Sequence, residues 1–337
     1  MNTIPFDEHA KRIRAREPRI KLVPFDSISL SSERRYLVKG LVPHPGLTVI
    51  WGPPKSGKSF FTFDLTMHVA LDRPYRGRRV HPGPVVYCCF EGQSGIQGRV
   101  EAFRQRHLSE DAVGVPFFLQ PVTIDLVKDQ AELIAAIRTL DKAPVAVVLD
   151  TLNRSLNGSE SSDEDMSNYV RAVDAIREAF DCAVMVVHHC GINDSRPRGH
   201  TSLTGAADAQ LAIKRDAADN VVVTVEFMKD GESGDTVTSK LDRLEVGLDE
   251  DGDPITSCVV VETEATVSSS GPRLTANQQT MLAVLQRAGK PLTAEEWAQK
   301  AMEAGLGSKR RAWAWDLRTA LQAKGLVYEG LNGWSPK

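Results

Sequence analysis

The apolar residues of this chain fall into short continuous runs, separated by longer stretches in which apolar positions recur at helical spacing. Runs of the first kind occupy residues 47–51, 85–90, 117–119, 145–149 and 182–187. A run that is apolar at every position suits a strand buried on both faces, as in a parallel sheet. Between these runs, Phe60, Phe61, Phe63 and Leu65 open one helical pattern, and residues 94–107, 130–140 and 166–180 carry others. Strands alternating with helices predict an α/β fold around a mostly parallel central sheet. Residues 209–215 and 221–228 read as later strands, and 244–261 as a hairpin turning at 249–254. That acidic turn lacks the twelve-residue ligand pattern of a calcium loop and is read as a turn. Residues 153–165, rich in Ser, Asn and acid, read as a mobile loop, and 191–205 as a long polar one.

The pattern changes after residue 262. Residues 263–273, with Ser268, Ser269, Ser270, Gly271 and Pro272, have the composition of a linker. Three amphipathic segments follow at about 276–288, 294–304 and 308–324, then a hairpin signal around Leu326, Val327, Tyr328 and Trp334. Three helices and a hairpin predict a small winged-helix domain over 274–337. Its third helix opens on Lys309, Arg310 and Arg311 and carries Trp313 and Trp315, which at that spacing cannot both face the core. DNA contact through the three cations and docking of a protein both fit. At the other end, residues 1–35 form a mixed-charge arm that either packs on a neighbouring subunit or is solvated. Residues 36–262 make the main domain.

Charge sharpens this division. The net charge of −3 hides a tail near +4, because residues 274–337 hold nine Lys or Arg against five Asp or Glu. The tail is therefore the better partner for an anionic polymer, and any such contact in the acidic remainder must be local. With 42% apolar and 25% charged residues, the chain falls among soluble globular proteins. No apolar run approaches a membrane span, and the charged N-terminus lacks a signal peptide's apolar segment, so a cytoplasmic protein with no membrane partner is expected. Five cysteines without C-x-x-C spacing fit a reducing compartment.

The first apolar run leads into Gly52-Pro53-Pro54-Lys55-Ser56-Gly57-Lys58-Ser59 and then Phe60, which fits G-x-x-x-x-G-K-[ST] between a strand and a helix. Backbone N–H groups of such a loop cradle the phosphates of a nucleotide, Lys58 reaches the outer phosphates, and Ser59 ligates Mg²⁺. Two later runs end in acids. Glu91 follows 85–90 and Asp150 closes 145–149, which places both carboxylates at the edge of an open α/β sheet where ligands bind. Glu91 is positioned to activate a water, or else to cap the next helix. Asp150, a strand-ending acid after a phosphate loop, is the second protein group for Mg²⁺. The run at 182–187 ends in His188-His189. Adjacent histidines on an extended segment face opposite sides, and with Cys190 and His200 they match no usual zinc site. One imidazole senses the γ-phosphate and moves the following loop, or the pair is a buried, satisfied one. That loop carries Arg196, Arg198 and His200 as cationic contacts.

In this order, the phosphate loop, Glu91, Asp150 and the histidine strand end resemble the RecA-like P-loop ATPases (AAA family), in particular the plasmid RepA-type hexameric replicative helicase group, over residues 36–262. The resemblance implies ATP and Mg²⁺, with Glu91 as catalytic base, Asp150 as the acid of the second nucleotide motif, and His188 or His189 as sensor. Arg198-Gly199 is similar to the Arg-Gly of the group's DNA-facing loop. Lys229 matches a lysine of the trans-acting pair, but Asp230 and Gly231 stand where an arginine is expected, so Lys214 and Arg215 are the substitutes. The implied function is an ATP-driven, ring-forming helicase or translocase on single-stranded DNA in plasmid, phage or mobile-element replication, with replication proteins and a homo-hexamer as partners. A regulatory or loading ATPase that binds DNA or a replication partner without unwinding is the alternative, and a nucleotide-dependent assembly protein that contacts no DNA is the third. Lack of a basic stripe in the core favours the latter two, whereas the loop arginine and the basic tail favour the first.

Overall fold

Four of the five continuous apolar runs become inner strands of one nine-stranded sheet, whereas 117–119, expected to be buried on both faces, forms an edge strand with Phe118 and Leu119 exposed. The computed structural model describes residues 22–29, 36–109, 112–191, 196–263, 275–307, 312–330 and 333–336. The chain divides into two compact units, Met1–Thr263 and Glu264–Lys337.

In the first unit a two-stranded ribbon, β1 (Tyr36–Val38) and β2 (Val42–Pro43), precedes β3 (Gly46–Gly52) and α1 (Lys58–Ala70). Then come β4 (Val85–Cys89), α2 (Gln93–His107), β5 (Phe117–Gln120), α3 (Leu126–Ile137) and β6 (Ala146–Asp150). These lead to a short α4 (Leu152–Ser155), α5 (Asp163–Phe180), β7 (Ala183–His189) and α6 (Ser202–Ala206). Four strands finish the sheet: β8 (Ala209–Arg215), β9 (Val221–Met228), β10 (Thr236–Leu248) and β11 (Pro254–Glu262). The strand order is β11-β10-β9-β8-β3-β7-β6-β4-β5. From β8 to β5 every pairing is parallel, and from β8 outward to β11 every pairing is antiparallel.

β3, β4 and β6 are buried at every position, and apart from Thr48 and the terminal Asp150 they carry no polar side chain that would break an apolar run. The pleat sends alternate residues to two separate cores. On one face Ile50, Tyr87, Val148 and Val187 meet Phe61, Phe63 and Leu65 of α1 with Ile96 and Phe103 of α2. On the other, Trp51, Cys88, Leu149 and Val186 meet Leu133 of α3 with Tyr169 and Val173 of α5. Full burial of each large side chain is worth ~1.5–3 kcal/mol.

Residues 153–165 are more ordered than their composition suggests. α5 begins at Asp163, with the Ser162 side chain accepting from Asp165 N and three acids in the first turn. A serine cap and early acids are a helix start signal that resembles a loop in composition.

One acid breaks the apolar rule in α1. Asp64 is 1% exposed, lies 3.5 Å from Arg76 and also faces Tyr75 and His68. Burial outweighs the Arg76 charge and pushes its carboxyl from 3.8 up to about 7. Between these values the folded chain keeps a proton that the unfolded chain has lost, so stability falls as pH rises through about 4 to 7 and levels off above. The span corresponds to on the order of 4 kcal/mol. Thermal melts over this pH range should show the decline in the wild type and a flattened profile in Asp64→Asn; parallel profiles would remove Asp64 as the cause.

The second unit holds α7 (Ala276–Ala288), α8 (Ala294–Glu303), α9 (Trp313–Ala323) and the hairpin β12 (Val327–Gly330) and β13 (Gly333–Pro336). Thr275 with Gln278 and Thr293 with Glu296 form capping boxes that start α7 and α8. Trp297 fills the core beside Met281, Leu285 and Leu321, and its Nε1 donates to the Met281 carbonyl at 2.8 Å. Trp313 packs on this core, whereas Trp315 is 60% exposed. Lys309, Arg310 and Arg311 lie outside the described residues, as do most of the arm and the linker.

Candidate active site

β3 delivers the chain into the phosphate loop at the carboxyl edge of the sheet. Gly52 sits so close to β8 that a Cβ there would run into the Ile213 carbonyl, so the strand can end there only as glycine. Gly57, with φ of +98°, turns the chain into α1. Lys58 is buried and donates from Nζ to the carbonyls of Gly52 (3.0 Å) and Pro53 (2.8 Å). Burial lowers its pKa, opposed by the charges of Asp150, Cys190 and Glu91. Pro54, Lys55, Gly57, Lys58, Ser59 and Phe60 line an open pocket of about 510 Å³. Ser56 is buried behind them.

Register brings the strand ends to this pocket. Gly52 pairs with His189, and Asp150 pairs with Cys89 and Val187, which aligns the ends of β3, β7, β6 and β4. Glu91, Asp150 and His189 all line the pocket. Asp150 is 1% exposed; the Tyr87 hydroxyl donates to its Oδ2 at 2.6 Å, and Oδ1 is buried with no hydrogen-bond partner. Burial raises its pKa, while Tyr87, the nearby Ser59 hydroxyl and Arg99 pull the other way. An orphaned carboxylate oxygen beside a serine hydroxyl suits a hard divalent cation, so these residues fit Mg²⁺.

The pleat separates neighbours that sequence alone can only pair. His189 shares the α1 face and reaches the pocket, its Nε2 4.0 Å from Glu91 Oε2. Burial and then the Lys58 charge hold its pKa below the usual imidazole value, against the pull of Glu91. His188 faces the other way. It is fully buried, and its Nε2 donates to the Arg198 carbonyl at 2.7 Å. The same alternation splits Lys214 from Arg215. Arg215 lines the pocket, while the Lys214 ammonium lies over the Trp51 ring, 6.0 Å from its centre. Lys229 is remote from both, because β9 runs antiparallel to β8 and ends at the opposite edge. There its Nζ lies 3.4 Å from Asp208, which binds the start of β3. The three cations that the sequence groups together therefore occupy three different places.

Three lining residues are not evident from the sequence. Thr151 donates from Oγ1 to Glu91 Oε2 at 3.1 Å. Arg99 of α2 stacks its guanidinium on Phe60, 4.6 Å from the ring centre, and lines the pocket. It interrupts the buried stripe of Ile96 and Phe103, and a cation at that spacing is the available signal. Leu241 comes from β10, whose hairpin with β11 packs over α2. Thr151 and Leu241 carry no signal.

Arg196 is exposed, and Arg198 is half exposed with its Nε donating to Glu160. A wider open cleft of about 980 Å³, by Lys39, Arg78 and Asp235, lies at the sheet edge away from the phosphate loop.

A phosphate loop, a buried acid and a strand-end glutamate on one edge of a mostly parallel sheet define a P-loop ATPase. Residues 14–195 match the AAA domain family, and the chain belongs to that family. Among solved structures, the RadB recombinase aligns at a TM-score of 0.44 and 18% identity over 59% of this chain and 89% of that one. A KaiC-like protein from Pyrococcus horikoshii OT3 aligns at 0.45 and 10% identity, over 66% and 93%. No curated protein matches the sequence. Among the described residues, no helix is long and apolar enough to cross a membrane.

Proposed function

We propose that the protein hydrolyses ATP and uses turnover to move on single-stranded DNA, as a ring-forming helicase or translocase of the RepA-type replicative group. The observation that carries this reading is the end of β7. Of its last two residues, His189 faces the nucleotide pocket and His188 holds the segment that bears Arg196 and Arg198.

The chemistry follows from the pocket. Backbone N–H groups of the loop and the Lys58 ammonium hold the triphosphate. Ser59 and Asp150 hold Mg²⁺, which when bound offsets phosphate charge. Glu91 takes the proton of the attacking water, with Thr151 fixing its carboxylate. His189 stays neutral near pH 7 because its pKa is depressed, and it can donate one hydrogen bond toward the γ-phosphate without adding charge. Loss of that phosphate removes the bond, and the shift of β7 passes to the segment tied to His188.

Arg215 lines its own subunit's pocket, so we expect it to act there rather than on a neighbour. Arg215→Ala should lower turnover about 10²-fold, the scale of one lost electrostatic donor. Mixing Arg215→Ala with Glu91→Gln subunits should then restore nothing, since every pocket lacks one group. Recovery in demonstrably mixed rings would instead make the arginine trans-acting.

The alternative, a regulatory or loading ATPase that binds without unwinding, draws support from the engagement of Arg198 by Glu160. Strand displacement with ATP, run beside electron microscopy for rings, separates the two. ATP turnover with DNA binding but no displacement would leave the loading ATPase, and no DNA binding at all would end the helicase reading and leave the alternative only in the form that binds a replication partner.

A further inference from the structure

Glu160 is a carboxylate with an unusual place. It sits between α4 and α5, only 8% exposed, in a segment whose neighbours Ser159 and Ser161 are exposed. Its Oε1 accepts from Asn153 Nδ2 at 2.9 Å, its Oε2 from Arg198 Nε, and its backbone carbonyl from His200 N at 2.7 Å. The approach is tight enough that a Cβ on Gly199 would strike the Glu160 carbonyl. One acid therefore joins the segment after β6 to the segment after β7. An outer pair repeats the join: Asp163 accepts from Ser202 at 2.8 Å and lies 3.3 Å from His200.

Arg198 is held in two separable ways. Its backbone is tied to the end of β7, because its N–H donates to the His189 carbonyl at 3.0 Å and its carbonyl accepts from His188. Among the described residues its side chain is tied to Glu160, and it remains 47% exposed. The guanidinium can leave Glu160 by side-chain rotation while the backbone stays anchored. A carboxylate and a phosphate offer a guanidinium the same planar, anionic pair of acceptors, so either can occupy it but not both at once.

We infer that Glu160 is an internal surrogate for a nucleic-acid phosphate, which holds Arg198 in a latched position until single-stranded DNA displaces it. This inference rests on the DNA reading proposed above. The latch works in the direction a motor needs. Movement at the end of β7 reaches the Arg198 backbone through two hydrogen bonds, one from its N–H to the His189 carbonyl and one from the His188 ring to its carbonyl, and release from Glu160 turns that movement into a change in DNA affinity. The surrounding groups bear on its charge. Burial tends to raise the Glu160 pKa, but the bond from Arg198, the His188 ring and the bond from Asn153 outweigh it and hold the carboxyl lowered, so the latch stays charged at neutral pH.

The test measures binding of a fluorescent oligo-dT strand to the full chain by anisotropy across a salt series, for wild type, Glu160→Gln, Arg198→Ala and the double variant. Glu160→Gln should bind about tenfold more tightly, the scale of one charge-assisted hydrogen bond no longer competing. The double variant should bind like Arg198→Ala, because the gain acts through that guanidinium. Thermal melts check that each variant folds. If Glu160→Gln does not fold, Glu160→Asp, which withdraws the carboxylate by one methylene and keeps its charge, should show a gain of the same sign. Unchanged or weaker binding in a folded Glu160 variant would overturn the latch and leave the DNA reading standing, as would a gain that survives in the double variant. Failure of the wild type and all variants to bind DNA would overturn both.

Discussion

Glu91→Gln should cut ATP turnover by about 10²–10⁴-fold, the usual contribution of a positioned general base, while leaving nucleotide affinity close to wild type. The side chain is nearly isosteric, so the carbonyl oxygen of Gln can still accept from the Thr151 hydroxyl as Oε2 does at 3.1 Å. What it loses is the capacity to take a proton. The phosphate contacts lie on α1 and its loop and are untouched, so titration with a fluorescent ATP analogue should give an unchanged curve while phosphate release collapses. Thr151→Val gives a graded companion, since it frees Glu91 without removing it and should lower turnover less than Glu91→Gln does. Wild-type turnover in Glu91→Gln would reduce this carboxylate to a structural one and send the search for the base elsewhere in the pocket.

Much of this site is legible in the sequence, and the reason is geometric. An apolar run ending in a polar residue marks the edge of a buried sheet, which places Glu91, Asp150 and the His188-His189 pair together. What the run cannot give is which face each side chain takes. Adjacent histidines must point apart, but only the packing of α1 on the face of Ile50 and Val187 makes His189 the one that lines the pocket. Lys214 and Arg215 pose the same problem with the same answer. Strand direction is a second limit. The family resemblance groups Lys229 with Lys214 and Arg215, yet the strands that carry them are antiparallel and their ends lie at opposite edges of the sheet. Glu160 illustrates a third. Its serine-rich surroundings read as a mobile loop, and nothing local reveals that it meets Arg198.

Lys58→Ala should reduce turnover about 10³-fold or more, because a preorganised cation at the phosphates is lost from a partly dehydrated site. Unlike Glu91→Gln, it should also weaken nucleotide binding, since the ammonium contacts the ground state as well as the transition state. The structure makes the lysine hard to replace. Its Nζ is buried among the Gly52 and Pro53 carbonyls and near Asp150, a setting that accepts a compact ammonium with three donors. Lys58→Arg keeps the charge but brings a planar fork too wide for those two carbonyls, so it should recover little activity. Its failure would show that position and shape matter beyond charge. The fold should survive Lys58→Ala, because removing the ammonium also removes the cost of burying it, and this offsets the loss of two hydrogen bonds. The decisive measurements are phosphate release and analogue binding on variants whose melting curves match the wild type. Turnover in Lys58→Ala within about tenfold of wild type would mean the loop does not hold a reacting phosphate, and the assignments of Glu91, Asp150 and His189 would fall with it.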